Sequence, residues 1–389
     1  MKDSTSLLTQ TILTSTLALI SLVGFAVLLE EMQPSTTYES VSIATTTPEI
    51  QEPILSPTKT EVIAENIVVP PASDQEKKTI AIEETLPETQ QVTQPQSAPS
   101  SPVTFYSTPP ISLDVINIAT LPSVVNILCG SSQGSLISGA TGSGIIIDSR
   151  GVILTNAHVA QYLLLREHPD VKITCVIRSG APAKAKYTAN ILAFPQKWAQ
   201  KHAKDIFLEL ATGTGEHDWA LLYITGTTDG SEKPTSFPFV EFDTREHVAQ
   251  ASDSVLLASY PAGFLGNIAL KNELWPVSTI VSIQKVFTFS RSLVDILALG
   301  GNIVAQGGSS GGAVVNQWNK LVGIISTSSL GDTTGERDLR AVTLSHINRS
   351  IQEHTGFSLE SFLSRSDFES EVTTFKENSV PNLLELYPL

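Results

Sequence analysis

The chain has 389 residues, 41% of them hydrophobic, and a formal net charge of −15. That length allows two or three domains of about 150 residues and a sizeable core. The acidity leaves no basic stripe to displace phosphate counterions, which excludes nucleic acid as a partner. The charge is uneven: residues 1–110 hold 4 basic and 13 acidic side chains, residues 111–389 hold 20 and 26, so most of the excess sits in the front part.

From Leu7 to Leu29 no residue is charged. As a helix this stretch reaches roughly 35 Å, enough to cross a hydrocarbon core of about 30 Å. Lys2 precedes it and Glu30 and Glu31 follow. That asymmetry puts residues 1–6 in the cytoplasm and the remainder outside. A signal anchor is therefore expected at 7–29. The competing reading, a cleaved signal peptide, has to accept an unusually long apolar run and no A-x-A site. Residues 30–110 hold 12 of the 22 prolines and none of the 24 glycines, with Thr, Ser, Gln and Glu filling much of the rest. Such a composition cannot bury enough apolar surface to order itself, and proline without glycine makes it extended. A disordered Pro/Thr/Glu-rich linker is expected.

From Ile111 the texture changes to Val- and Ile-rich runs between turn residues. SVVNILC (123–129), GSGIIID (142–148), GVILTN (151–156), VKITCVIR (171–178) and DWALLYIT (218–225) come first. DSVLLASYP (253–261), STIVSIQKVF (278–287), LVDILALG (293–300), GAVVN (312–316) and KLVGIIST (320–327) follow. Many short strands at turn-rich spacing predict an all-β fold, and the length suits two six-stranded antiparallel β-barrels. A C-terminal helix is expected from about Ser345, where Ile347, Ile351 and His354 share a face. This domain is placed at 111–356. Residues 357–389 read as an acidic C-terminal tail, with FSLESFL its one amphipathic stretch. Cys129 and Cys175 both fall in expected strands; they form a disulfide or pack as two buried thiols. Their spacing supports no metal site, no HExxH motif occurs, and no cofactor is expected.

Three short stretches carry chemistry. His158 sits in TNAHVA at the edge of the strand GVILTN. Asp218 opens the apolar run DWALLYIT, where a partly buried carboxylate needs a partner. GGSSGG (307–312) places two serines between glycine pairs. A serine hydroxyl becomes a nucleophile when a neutral imidazole takes its proton, and a buried carboxylate fixes that imidazole's tautomer. Gly308 lets the backbone turn its N–H inward beside that of Ser310, a pocket for a developing oxyanion. The remaining histidines are less well placed: His168, His202 and His247 in polar stretches, His217 beside an acid, His346 and His354 late in the chain. A flexible-linker reading of GGSSGG fails on its β-rich surroundings. Its match to G-x-S-x-G, with Ser309 as nucleophile, needs a helix after the serine, and Gly311, Gly312, Val314 and Val315 form helices poorly.

TNAHV, DWALL and GSSGG, in the order His, Asp, Ser and 60 and 92 residues apart, resemble the trypsin-like serine proteases. Within them the chain is similar to bacterial extracytoplasmic HtrA-like members lacking a PDZ domain, for which the residues after the protease region are too few. The resemblance covers about 111–355, with an insertion around 160–210. It implies a chymotrypsin-like pair of barrels, His158 as general base, Asp218 as its orienting acid and Ser310 as nucleophile, with Gly308 and Ser310 supplying the oxyanion N–H groups. The implied partner is a polypeptide substrate. The family's Asp or Asn before the nucleophile is Ser309 here, which implies that no cleaved N-terminus is needed to form the oxyanion pocket; the proline after the second glycine is Ala313. By the family's geometry Val304 and Ala305, with Ser326, Thr327 and Ser328 opposite, line the pocket for the side chain before the cut bond. No acid lies there, so small or medium apolar side chains are expected. The rival from another class is a catalytically silent domain that binds peptides or scaffolds envelope proteins; an esterase would use the same acyl chemistry.

Overall fold

The computed structural model describes residues 105–208, 213–289, 293–329, 333–365 and 367–389. The expected membrane span at 7–29, and the expected linker up to residue 104, lie outside them. Among the described residues no helix is long and apolar enough to cross a membrane.

The front half is a closed barrel. Its strands are β1 (Val124–Ser131), β2 (Ala140–Asp148), β3 (Val152–Thr155), β4 (Ile173–Ser179), β5 (Lys184–Ala193) and β6 (Ala220–Thr227), in the order β1-β2-β3-β6-β5-β4. All neighbouring pairs are antiparallel. Cys129 and Cys175 face each other across β1 and β4 and form a disulfide, which fastens the two strands that close the barrel.

The second half departs from the expected closed six-stranded barrel. It is a seven-stranded sheet of β7 (Ser254–Ser259), β8 (Val277–Ser282), β9 (Lys285–Phe287), β10 (Ile296–Gly300), β11 (Ala313–Val315), β12 (Leu321–Ser328) and β13 (Leu339–Thr343). The order is β8-β7-β11-β12-β13-β10-β9. Its two edge strands are consecutive in the chain, joined by Ile283 and Gln284 alone, so the sheet must curl back on itself without a ladder sealing the seam. The run STIVSIQKVF therefore supplies both edges. Phe287 is exposed on β9 and Ile280 on β8.

The helices frame these sheets. In chain order they are α1 (Leu113–Thr120), α2 (Ala157–Leu165), α3 (Gln196–His202), α4 (Asn267–Asn272) and α5 (Leu344–Thr355), followed by α6 (Leu359–Ser364), α7 (Phe368–Asn378) and α8 (Val380–Leu384). The expected helix from Ser345 is α5, with Ile347 and Ile351 fully buried. The acidic tail is not an extended segment. Phe368, Val372 and Phe375 recur at helical spacing on α7 and bury against the first half, and Val380 and Leu383 of α8 continue that face. The acidic residues Glu369, Glu371 and Glu377 lie on the solvent side, which is why the net composition hid the helix.

The end of the expected linker is docked too. The Tyr106 ring stacks on Trp318 at 4.5 Å, and its hydroxyl donates to Asp243 at 2.7 Å. The Trp318 indole N–H donates to the Thr108 carbonyl, and the Ile111 N–H to that of Gln317. Residues 106–111, most of them expected as linker, are thus held by Asp243, Gln317 and Trp318.

Candidate active site

His158 is the second residue of α2, which starts directly behind β3. Asp218 stands two residues ahead of β6, and β3 and β6 pair with Thr155 opposite Ala220. Strand pairing therefore brings two residues 60 positions apart to the same edge of the barrel. The His158 Nδ1–H donates to Asp218 Oδ2 at 2.8 Å, and the His158 backbone N–H donates to Oδ1 at 3.0 Å. The Ser326 hydroxyl donates to Oδ2 at 2.7 Å, and the Asn156 side-chain amide donates to the Asp218 carbonyl. The carboxylate is 5% exposed and its three donors satisfy it; the imidazole remains 32% exposed.

The electrostatics follow. Burial pushes the Asp218 carboxyl up, but the adjacent imidazole and the Ser326 hydroxyl outweigh it and hold it below the usual carboxylate range. For His158, burial lowers the pKa and the Asp218 carboxylate more than reverses this, so the net shift is upward from 6.5. The Nε2 atom has no hydrogen-bond partner among the described residues.

Ser310 immediately precedes the turn into β11. That strand lies between β7 and β12, both antiparallel to it, so the exits of β7 and β12 flank the serine. Its hydroxyl donates to the Ser326 carbonyl at 3.1 Å. Ser326 thus touches both Ser310, through its carbonyl, and Asp218, through its hydroxyl. The backbone N–H groups of Gly308 and Ser310 have no acceptor among the described residues. Gly308 sits at φ +90°, and a Cβ there would lie 2.9 Å from the Tyr260 carbonyl. Only glycine holds this backbone conformation without strain or collision.

The loop is fixed from both halves. From β2 of the barrel, the Ser143 N–H donates to the Ser310 carbonyl and the Ser143 hydroxyl to that of Gly308, each at 2.7 Å. The Gly311 backbone passes so close that a Cβ would lie 2.0 Å from the Ser143 carbonyl. Ser309 is buried, and its hydroxyl accepts from Ser259 at 3.2 Å. The position before Ser310 is thereby tied down by neutral hydroxyls, with no charge calling for a terminal amine.

The expected pocket residues divide. Val304 and Ala305 are 0% exposed and belong to the core of the second half with Leu299, Val322 and Leu339. They form part of that apolar core and present no open wall. Ser326 is committed to the carboxylate rather than to a pocket. The backbones of Thr327 and Ser328 pair with Arg340 and Leu339 of β13. Sequence reasoning missed Ser143, Asn156 and the double role of Ser326. The serine between Gly142 and Gly144 within a strand was a signal for close backbone approach at that point.

No curated protein sequence matches the chain. Among solved structures, the crystal structure of Deg5 is 18% identical, with a TM-score of 0.40, covering 61% of this chain and 90% of its own. The Rv3671c protease in its inactive form is 17% identical, with a TM-score of 0.38, covering 62% and 94%. The family model of the trypsin-like peptidase domain matches residues 142–324, the stretch that holds His158, Asp218 and Ser310, and over that stretch the chain is similar to a trypsin-like peptidase domain.

Proposed function

We propose that the protein is a serine endopeptidase that cuts polypeptides through an acyl-enzyme, with Ser310 as nucleophile, His158 as base and Asp218 as orienting acid. One observation carries this reading: the buried Asp218 carboxylate accepts from His158 Nδ1 at 2.8 Å and leaves Nε2 unpartnered at a partly open edge. In the proposed reaction the Ser310 hydroxyl turns from the Ser326 carbonyl to Nε2 and attacks the scissile carbonyl carbon as its proton moves to the imidazole. The oxyanion takes the Gly308 and Ser310 N–H groups. The imidazolium returns the proton to the leaving amine, and water then deacylates Ser310 by the same route. With no acidic side chain among Val304, Ala305 and Ser326, cleavage after small or medium apolar side chains is expected. A peptide panel cut best after Arg or Lys would refute that preference.

The protein is further proposed to be tethered to a membrane by 7–29 with the peptidase outside. The uncharged stretch from Leu7 to Leu29 supports this, and the Cys129–Cys175 disulfide suits an oxidising compartment. A fluorophosphonate probe tests the chemistry. Labelling of the wild type that survives Ser309→Ala and vanishes in Ser310→Ala is the expected result. The silent-domain reading draws on the Ser310 hydroxyl's bond to a carbonyl rather than to the imidazole; folded protein that never labels would decide for it.

A further inference from the structure

His217, Asp218 and Trp219 form a short segment ahead of β6, and the residues on either side of the acid meet at one hydroxyl. The Trp219 indole N–H donates to Ser350 Oγ at 2.8 Å. The Ser350 hydroxyl lies 2.7 Å from His217 Nδ1. With Oγ already accepting from the indole, its O–H is free to donate to the imidazole. Ser350 is buried on α5, more than 130 residues further along the chain. His217 holds a left-handed backbone, φ +57°, which a non-glycine residue keeps only when its surroundings fix it. The helix meets this segment at one-turn intervals: His346 lies beside the His217 ring, Ser350 bonds both flanking side chains, and His354 packs edge-on to Trp219. The groups bonded to the carboxylate itself, His158 and Ser326, belong to the site and cannot anchor it from outside.

We propose that Ser350 is a positioning residue for the acid: by bonding both neighbours of Asp218, it holds the carboxylate against His158. The inference rests on the reading of Asp218 as the orienting acid. It goes beyond that reading by making α5 part of the catalytic apparatus without touching substrate.

The test compares the full-length wild type with Ser350→Ala, Ser350→Thr and the double variant Ser350→Ala/Trp219→Phe. The readouts are the fluorophosphonate labelling rate, the pH titration of the His158 ring by NMR, and the melting temperature. Loss of the clamp is expected to slow labelling on the order of tenfold, far less than the roughly 10⁴-fold cost of disabling the acid. The His158 titration should move down towards 6.5, because a loosened carboxylate supports the imidazolium less. Ser350→Thr keeps the hydroxyl and should restore both. The double variant leaves no orphaned indole N–H, so it should recover stability without recovering rate or titration; it also serves if Ser350→Ala alone folds poorly. A purely structural Ser350 would give variants with lowered melting temperature but wild-type rate and His158 titration, and that result overturns the inference. A wild type that never labels, yet whose His158 titration still falls on Ser350→Ala, would reject the peptidase reading and leave the clamp standing.

Discussion

Each half of the molecule holds a long-range histidine–aspartate pair built from the same parts. In the first, His158 lies in the first turn of α2 and Asp218 just ahead of β6. In the second, His346 lies in the first turn of α5 and Asp295 just ahead of β10, with Nδ1 to Oδ1 at 3.1 Å. Their chemistry diverges. The His158 pKa is pushed up, while burial takes the His346 pKa down despite its carboxylate. The two carboxylates differ. Asp295 is shared: Arg349 bonds it, the Phe289 N–H donates to it at 2.6 Å, and the Thr288 hydroxyl at 3.1 Å. Much of its charge is thus already answered, and the Arg349 cation itself opposes protonation of His346. His346 is also shut in, 11% exposed against 32% for His158, with its Nε2 buried and unpartnered. A histidine–aspartate contact alone therefore makes no base. An open Nε2 and a carboxylate shared with no second cation set the first pair apart.

Substitution at the two acids should give opposite phenotypes. Asp218→Asn favours the wrong imidazole tautomer and is expected to cut the labelling rate about 10⁴-fold with little change in melting temperature. Labelling within tenfold of wild type would break the assignment. The next largest effect concerns how the two halves are closed. Only the first has its closing strands bonded covalently, by a disulfide between residues 46 apart. In the chain-entropy treatment, losing a loop of that length costs about 4 kcal/mol. Cys129→Ser/Cys175→Ser should lower unfolding stability by up to that amount, measured by denaturant, while folded protein still labels. Asp295→Asn should cost less, about 2–3 kcal/mol. Arg349 is 31% exposed and still has Glu246 and solvent. The labelling rate of the folded variant should be unchanged; a fall like that of Asp218→Asn would mean that the second pair takes part in the chemistry.

The sequence disclosed the first pair and hid the second for physical reasons. TNAHV and DWALL each join a polar residue to an apolar strand, and barrel pairing then carries both to one edge. Asp295 interrupts the apolar run LVDILALG and His346 lies in the mixed polar and apolar start of α5, and nothing local marks the two buried polar groups as partners. Ten strand runs were legible through their Val and Ile content. β5 was not, because its first half is exposed and lysine-containing, and β13 is a short segment with Arg340 as its second residue. The curled open sheet was equally hidden, since strand number and closure depend on pairing across the whole half. At the site, the glycines of GGSSGG announced a tight backbone. The clamp from Ser143 and the two bonds of Ser326 arise from contacts between distant segments that no spacing encodes.

The smallest expected effect is a difference in how the two pairs answer to pH. His346, with its pKa below 6.5 in the folded state, refuses a proton that the unfolded chain accepts. Its contribution to stability is present above 6.5 and is lost progressively as pH falls below that value. His217 and His354 are shifted in the same direction by burial and add to the same slope. His158 has the opposite sign: its raised pKa stabilises the fold below 6.5, and that contribution fades as pH rises through the folded value. The melting temperature should therefore fall on acidification from about pH 7 to 5, less steeply in His346→Gln, where one of the three opposing protons is gone. Over the same interval the labelling rate should be low, and it should climb only above 6.5 as His158 becomes neutral, in the wild type and in His346→Gln alike. If the substitution shifted the labelling curve and left the melting slope untouched, the roles of the two pairs would have to be exchanged.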